Sequence, residues 1–341
     1  MLKVLDHLPP GLADCPAEGL EEVLGGPTLL HLPGERPDPL FLSVLLHGNE
    51  IAGWEAVRGI LRDFSEARLP RSLSVLIGNV KAARLGLRRL DDQQDYNRVW
   101  DGGDSPEHRM ARQVVEEMRR RSPIASIDVH NTTGPNPHYA CVNWLDGRSL
   151  YLAQRFSRTA VYFRALLGMQ SMAFSELCPS ITIECGLPES PEGIVHAKAY
   201  LEQRLFEESI PDHLPTADEL ELFHTRARVR IPEGLSFSFQ HQDAGFYMPE
   251  ELVEQNFREL PKGTAFGTWG NGVDPRLKVQ DEEGKDVFDM YFENRDRQLI
   301  VRQPFFLSML TTREKIVEQD CLCYLMERMT VPKSGELAQK A

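Results

Sequence analysis

The feature that most constrains the fold of this chain is a short apolar run that stops abruptly. Residues 41–46 read FLSVLL and are followed directly by HGNE. A run of this length, closed by a Gly-Asn pair, is typical of a strand that is buried on both faces and ends in a tight turn. Strands of this kind belong to parallel sheets that helices cover on both sides. The run therefore predicts an α/β fold.

The turn after this strand carries two side chains that commonly bind metals, His47 and Glu50. Apolar residues then recur at helical spacing, so we expect a helix to begin at Glu50. In an open α/β sheet, ligands bind outside the carboxyl ends of the strands, where this turn would lie. A histidine that caps the turn and a glutamate favoured by the helix dipole would give the same pattern. The pair alone leaves a metal site and a structural role equally open.

Further apolar runs alternate with segments of helical spacing up to about residue 208. Such alternation predicts a mostly parallel sheet flanked by helices on both faces. Three more strands are predicted at residues 73–78, 124–129 and 180–183, and helices are predicted at 106–121, 149–158, 162–174 and 191–208.

The remainder of the chain has a different character. Residues 210–217 combine prolines and polar residues, as linkers do. Beyond them, short apolar segments are separated by glycine and proline turns, which indicates a smaller β-rich domain. We therefore expect a catalytic domain at residues 1–212 and a β-rich C-terminal domain at 220–341.

Two more predicted strands end in residues suited to metal or acid–base chemistry, His130 and Glu184. If the strands are parallel, their carboxyl ends meet at one edge, so both side chains could join His47 and Glu50. Two histidines and one carboxylate leave a tetrahedral zinc one open position, and Glu184 then suits a general base. Asp128, two residues before His130, is a candidate acceptor for that histidine. A surface glutamate at 184 and a plain ion pair at 128 are the structural alternatives.

The loop after the second predicted strand carries polar groups that a substrate would need. An arginine fork matches a carboxylate bidentately, so Arg98 with Asn97 beside it could seat a substrate carboxylate. A second arginine could stabilise the oxyanion that forms during hydrolysis. Arginines that are solvated, or paired with aspartates of the same loop, would explain the pattern as well. The arginines before the Asn-Arg pair are Arg88 and Arg89, and the aspartates are Asp91, Asp92 and Asp95.

Charge and cysteine content exclude several classes of protein. The net charge of −13 and pI near 5.3 argue against nucleic acid or an anionic membrane as a partner. No apolar run approaches the ~20 residues that span a bilayer, and two prolines interrupt the N-terminal segment where a signal peptide would need its apolar core. We therefore expect a cytoplasmic protein. The six cysteines show no zinc-ribbon spacing and are expected to be mostly buried free thiols.

Taken together, these motifs resemble the succinylglutamate desuccinylase and aspartoacylase family of zinc carboxypeptidase-like deacylases. HGNE at residues 47–50 matches the first metal motif of that family, and DVHNTT at 128–133 resembles the second. DYNR at 95–98 matches its substrate motif, and ECG at 184–186 resembles the segment with the catalytic glutamate. The motifs occur in family order between about residues 40 and 200.

The resemblance implies a carboxypeptidase-like α/β domain, one zinc per chain and a C-terminal β domain that partly covers the site. His47, Glu50 and His130 would hold the zinc, and Glu184 would be the catalytic base and then acid. Asn97 and Arg98 would bind substrate, while either Arg88 or Arg89 would contact the scissile carbonyl. The family pattern also has an arginine shortly before the catalytic glutamate, but residues 168–184 contain none. This difference argues against N-acetylaspartate and, less strongly, N-succinylglutamate as substrate.

The sequence thus predicts a zinc-dependent amidohydrolase that removes an N-acyl group, such as acetyl or succinyl, from an amino acid or small carboxylate. Its partner would be this small molecule. The sequence does not fix the oligomeric state, and a homo-oligomer is possible. One alternative is a metallocarboxypeptidase that acts on short peptides. Another is a non-catalytic relative that binds a metabolite or a protein.

Overall fold

The computed structural model of the chain describes residues 2–164, 167–272 and 276–332. Within these ranges the chain forms strands and helices in the following order. The strands are β1 (Lys3–Leu5), β2 (Thr28–Leu32), β3 (Gly34–Val44), β4 (Leu69–Ile77), β5 (Ala125–His130), β6 (Tyr139–Val142), β7 (Thr159–Tyr162), β8 (Ser180–Glu184), β9 (Glu221–Arg230), β10 (Phe237–Ser238), β11 (Phe246–Tyr247), β12 (Glu259–Leu260), β13 (Ala265–Trp269), β14 (Lys278–Asp281), β15 (Phe292–Arg295), β16 (Gln298–Val301), β17 (Phe305–Ser308) and β18 (Cys323–Met329). The helices are α1 (Leu20–Leu24), α2 (Ala52–Asp63), α3 (Val80–Arg84), α4 (Pro106–Arg121), α5 (Gly147–Phe156), α6 (Gln170–Phe174), α7 (Pro191–Phe206), α8 (Phe288–Tyr291) and α9 (Glu314–Gln319).

A large mixed sheet forms the centre of the molecule. In the described ranges it contains thirteen strands in the order β1-β2-β4-β3-β5-β8-β6-β7-β9-β18-β17-β12, with β14 paired to β9. The neighbours β4, β3, β5 and β8 run parallel, whereas β2 and β6 join them antiparallel. The predicted α/β class is confirmed, and the sheet is mixed because antiparallel strands flank the parallel centre.

Strand β3 shows why its sequence is almost wholly apolar. Leu40 and Leu42 belong to one buried cluster, which also contains apolar residues of α2, α5 and α7. Phe41 belongs to another cluster and stacks on Phe174 of α6, with ring centroids 4.4 Å apart, while Met110 of α4 lies in the same cluster. Successive side chains of a strand point to opposite faces. Helices therefore cover both faces of β3, as its sequence predicts.

A second, smaller sheet lies in the C-terminal part. In the described residues it consists of β10, β11, β13, β16 and β15, and most of its apolar residues share a cluster with β9, β14, β17 and β18. Hydrogen bonding in the large sheet nevertheless continues from β7 to β9, across the predicted linker. The division at residues 212–220 stays a prediction. No helix in the described ranges is long and apolar enough to cross a membrane.

Two predicted helices differ from the structure. The helix predicted at 162–174 is wrong in its first part, because β7 ends at Tyr162 and α6 begins only at Gln170; residues 165–166 lie outside the described residues. The helix expected from Glu50 begins at Ala52, whose N–H donates to Asn131 Oδ1 at 3.0 Å. Glu50 itself lies in the turn and contacts two histidines.

Candidate active site

Three parallel strands deliver the candidate ligands to one edge of the large sheet. Strand β5 pairs with both β3 and β8, so their carboxyl ends are adjacent. His130 at the end of β5 lies opposite Glu184 at the end of β8 in the strand register. His47 follows β3 by three residues, after a turn in which Leu45 has a positive φ of 55°. Residues far apart in the sequence therefore line one cavity at this edge.

The carboxylate of Glu50 lies between the two imidazoles. Its Oε1 is 2.9 Å from His47 Nδ1 and its Oε2 is 2.7 Å from His130 Nδ1, while Oε2 also accepts the Asn131 N–H at 3.2 Å. All three side chains are buried, and their ligand atoms lie within 4.8 Å of one another. Burial alone would raise the pKa of Glu50, but the two histidines outweigh it and lower that pKa. The carboxylate is therefore charged at neutral pH.

The other nitrogen of each imidazole faces an aspartate. His47 Nε2 is 3.0 Å from Asp95 Oδ1, and His130 Nε2 is 2.7 Å from Asp128 Oδ2. Ser43 donates to the second oxygen of Asp128 at 2.6 Å, which fixes that carboxylate. Asp128 thus lies where the two-residue spacing predicts it, on the same side of β5 as His130.

This donor set fits a zinc ion. Zinc takes imidazole nitrogen and carboxylate oxygen, and ligand histidines usually donate their second N–H to a carboxylate. His47 and His130 direct Nδ1 towards Glu50 and Nε2 towards an aspartate. Three protein ligands would leave a position for water or substrate, as in catalytic zinc sites.

Gly48 is required by the close approach of the following loop. A Cβ atom on Gly48 would lie 2.2 Å from the backbone nitrogen of Ala83, which is far inside contact distance. The Gly48 N–H donates to the carbonyl oxygen of Arg88 at 3.0 Å. The glycine therefore allows the loop that carries Arg88 to pack against the turn that carries His47.

Glu184 differs from Glu50 in its surroundings. It is only 8% exposed, and no described residue forms a hydrogen bond with its buried Oε2. Burial raises the pKa of Glu184 to about 8, and Glu50 and Asp128 add to that rise. A cation held by the neighbouring ligands would favour the charged carboxylate and lower this pKa. Such a group can both accept and release a proton near neutral pH.

The two candidate arginines for the carbonyl lie in different places. Arg88 is buried in the cavity, with Nη2 3.1 Å from Asp95 Oδ2 and Nη1 3.7 Å from Glu50 Oε1. Arg89 is not part of the cavity lining in the described residues; its Nη1 donates to the carbonyl oxygen of Gln93 at 3.1 Å. The structure therefore brings Arg88, and not Arg89, to the candidate ligands.

Asn97 and Arg98 both line the cavity. The Asn97 amide lies 3.2 Å from His130 Nε2, and its oxygen accepts the Gln170 N–H at 2.9 Å, so it also ties the loop to β5 and α6. Arg98 Nη1 donates to the carbonyl oxygen of Asn97 at 2.8 Å. A role for both residues in binding substrate stays a prediction.

The C-terminal part of the chain adds residues that sequence reasoning missed. Asp320 reaches the arginines of the cavity, and Tyr324 and Met309 also line it, together with Tyr139 from β6. Met309 has a positive φ of 62°, and the Tyr139 hydroxyl donates to its sulfur at 3.0 Å. None of these residues follows an apolar run in a recognisable motif, so only the three-dimensional arrangement reveals them.

Comparisons with known proteins agree with this geometry. The sequence profile described as "Succinylglutamate desuccinylase/Aspartoacylase catalytic domain" matches residues 39–185. A succinylglutamate desuccinylase from Burkholderia orbicola (strain MC0-3) is 30% identical over an alignment of 134 positions, and the match covers 31% of this chain. That match covers only 39% of the length of the relative.

Solved structures with the same fold cover most of both chains. Succinylglutamate desuccinylase from Chromobacterium violaceum superposes with a TM-score of 0.58 and 18% identity, covering 87% of this chain and 86% of that one. Murine aminoacylase 3 superposes with a TM-score of 0.55 and 15% identity, and the match covers 87% of this chain and 98% of that one. At this level of identity the likeness establishes the fold.

Proposed function

We propose that this chain, whose residues 39–185 match the succinylglutamate desuccinylase/aspartoacylase catalytic-domain profile, is a zinc-dependent amidohydrolase. The proposed reaction cleaves a linear, non-peptide amide and removes the acyl group from a small N-acyl amino acid or related amine. The cytoplasmic location and any homo-oligomer stay predictions from the sequence.

One observation carries this proposal. The group formed by His47, Glu50 and His130 shares a single cavity with Glu184, whose Oε2 has no hydrogen-bond partner among the described residues. An unpaired buried carboxylate oxygen costs free energy, so a purely structural role would not favour it. The same oxygen can accept a proton from a water molecule in the cavity.

Each proposed role follows from what the side chain contacts. When bound, zinc supplies the Lewis acidity that amide hydrolysis needs at neutral pH. Glu184 takes a proton from water at Oε2 and later passes it to the leaving nitrogen. Arg88 lies beside Glu50 and stabilises negative charge on the carbonyl oxygen. Asp95 and Asp128 hold the imidazoles in place through their Nε2 atoms.

Enclosure of the cavity favours a small substrate over a peptide. Ser308, Met309, Asp320 and Tyr324 from the C-terminal part line it together with the catalytic residues. A polypeptide would have to pass these side chains to reach Glu184. We therefore rank deacylation above carboxypeptidase activity.

Metal analysis and an acyl-release assay test the proposal. We expect one zinc per chain in the purified protein and its loss in His47→Ala. We also expect release of carboxylic acid from at least one member of a panel of N-acetyl, N-succinyl and N-formyl amino compounds, and none from short peptides. Native protein without zinc, or zinc-loaded protein inactive on the whole panel, would refute the assignment.

A further inference from the structure

A carboxylate from the C-terminal part of the chain lies on the two arginines of the cavity. Asp320 directly follows α9, and its side chain is 18% exposed. Its Oδ2 is 3.2 Å from Arg88 Nη2 and 3.5 Å from Arg98 Nη2. These arginines are separated from Asp320 by 232 and 222 positions in the sequence. Folding therefore places an internal anion where a substrate carboxylate would meet Arg98.

The charges around this point balance without any ligand. Arg88 and Arg98 are the two arginines among the described residues that line the cavity. Arg88 is shared between Asp95 at 3.1 Å and Asp320 at 3.2 Å, and Arg98 faces Asp320. Arg88 also lies 3.7 Å from Glu50, so the two guanidinium groups face three carboxylates. No net positive charge remains here to attract a third carboxylate.

A substrate carboxylate at Arg98 would also be close to Asp320, and like charges at a site partly shielded from solvent repel each other. An uncharged carboxamide could instead hydrogen-bond to the Asp320 carboxylate and to Arg98. An ammonium group would pair with Asp320 directly. The arrangement thus disfavours the carboxylate that this arginine would otherwise bind.

We propose that Asp320 is a specificity-determining residue that occupies the arginine pair in place of a substrate carboxylate, so that the site selects N-acyl amines with an uncharged or cationic group at this position. The inference rests on the proposed function, because it names the substrate class of the same site. If Asp320 determines specificity, removal of its charge should change the preference between substrates. If its role were only structural, removal of the charge would change the stability of the protein alone.

Matched acid and amide pairs test this inference. Acetate release is measured for N-acetylglycine, N-acetylmethionine and N-acetylphenylalanine, each beside its carboxamide, with wild type, Asp320→Asn and Asp320→Ala. The matched control is Glu318→Gln, which removes an exposed carboxylate from α9. Thermal denaturation of each variant checks that it is folded.

We expect the wild type to have the higher kcat/KM on the amides. The ratio of acid to amide should rise at least about tenfold in both Asp320 variants, as expected when a charged hydrogen bond to arginine becomes available to the substrate. Glu318→Gln should leave the ratio unchanged. Active wild type with a preference for the acids, or Asp320 variants with an unaltered ratio, would overturn the inference and leave the proposed function intact.

A binding measurement keeps the two proposals separable. Isothermal titration calorimetry of N-acetylmethionine and its carboxamide is made on zinc-loaded Glu184→Gln, with and without Asp320→Asn. Tighter binding of the acid by at least about tenfold after the second substitution supports the role of Asp320. An unchanged affinity ratio, or no binding of either compound, counts against it. Absence of turnover in the first experiment bears on the proposed function alone.

Discussion

Glu184 is separated from the three candidate metal ligands by what its carboxylate touches. Each oxygen of Glu50 lies within hydrogen-bond distance of an imidazole nitrogen, whereas Oε2 of Glu184 has no such partner in the described part of the chain. Burial keeps the pKa of Glu184 high, at about 8. Two glutamates in one cavity therefore have environments suited to different tasks.

Replacement of Glu184 by glutamine should separate catalysis from metal binding. We expect turnover to fall by about 10²–10⁴-fold, because the amide cannot accept and pass on the proton. Zinc content and melting temperature should be retained, since the amide has nearly the same shape. Metal analysis, calorimetry and the acyl-release assay measure the three quantities. Glu189→Gln, an exposed position five residues later, should leave all of them unchanged; turnover of Glu184→Gln at the wild-type rate would exclude Glu184 as the base.

Gly48→Ala should disturb the site through the backbone. The added Cβ would meet the nitrogen of Ala83 at 2.2 Å, so the turn or the facing loop must move. We expect the free energy of unfolding to drop by about 1–3 kcal/mol and zinc affinity to weaken. Gly26→Ala is the control, because a Cβ there meets no atom within 4 Å, and it should stay within about 0.5 kcal/mol. Equal stability of the two variants in urea denaturation would contradict the close approach.

At the scale of single residues, the sequence predicts the site residues that follow strand ends in short motifs. His47, Glu50, His130 and Glu184 do so, and the structure places them in one cavity. Asp320 is different, because it follows a short helix in the C-terminal part and meets Arg98 only through the fold. A contact across 222 positions leaves no local signal in the sequence.

Elements with continuous apolar runs are the ones that could be predicted. Strand β5 and helix α4 lie close to their predicted ranges, because burial on both faces or helical periodicity marks them clearly. The segment at 162–174 failed because apolar residues of a short buried strand and of a short helix look alike over this length. Strands of two residues, such as β10 and β12, leave no periodicity to read.

The antiparallel pair of β2 and β4 carries a buried histidine that should make stability depend on pH. His31 is 7% exposed, with Nδ1 2.8 Å from Ser74 Oγ and Nε2 without a partner in the described ranges. Burial, with a smaller contribution from Arg121, lowers the pKa of His31 to about 4. Between pH 6.5 and 4 the unfolded chain therefore binds a proton that the folded chain does not.

The free energy of unfolding should consequently fall as pH drops from 6.5 to 4, by at most about 2 kcal/mol from this group after solvent screening. In His31→Gln that contribution disappears. The free energy of unfolding of the wild type should therefore rise relative to that of the variant as pH increases over this window. His241→Gln, at an exposed position, should follow the wild type. Urea denaturation at several pH values gives the comparison, and a constant difference for His31→Gln would be the contrary result.

On the scale of the whole molecule, charge and enclosure act in the same direction. The chain carries a net charge of −13, and the two cations that line the cavity in the described residues are already paired with Asp95 and Asp320. Much of the remaining lining is apolar, including Val161, Phe163 and Met169. A second carboxylate on a substrate would therefore meet no unpaired arginine among these lining residues, and the field of the whole molecule would oppose its approach.

This balance predicts a preference for uncharged acyl groups. N-succinylmethionine should have a kcat/KM at least about tenfold below that of N-butyrylmethionine, because an unpaired carboxylate in an apolar cavity costs well over 1.4 kcal/mol. The two acyl groups share a four-carbon chain, so the terminal carboxylate is what distinguishes them. The difference in kcat/KM between the two substrates should narrow when salt is raised from 0.01 to 0.15 M. The Debye length then falls from about 30 to about 8 Å, so salt screens the net charge of the molecule but not the interactions inside the cavity. Faster hydrolysis of the succinyl compound would contradict this prediction. It would show that the acyl carboxylate binds Arg88 or Arg98 and displaces Asp95 or Asp320 from it.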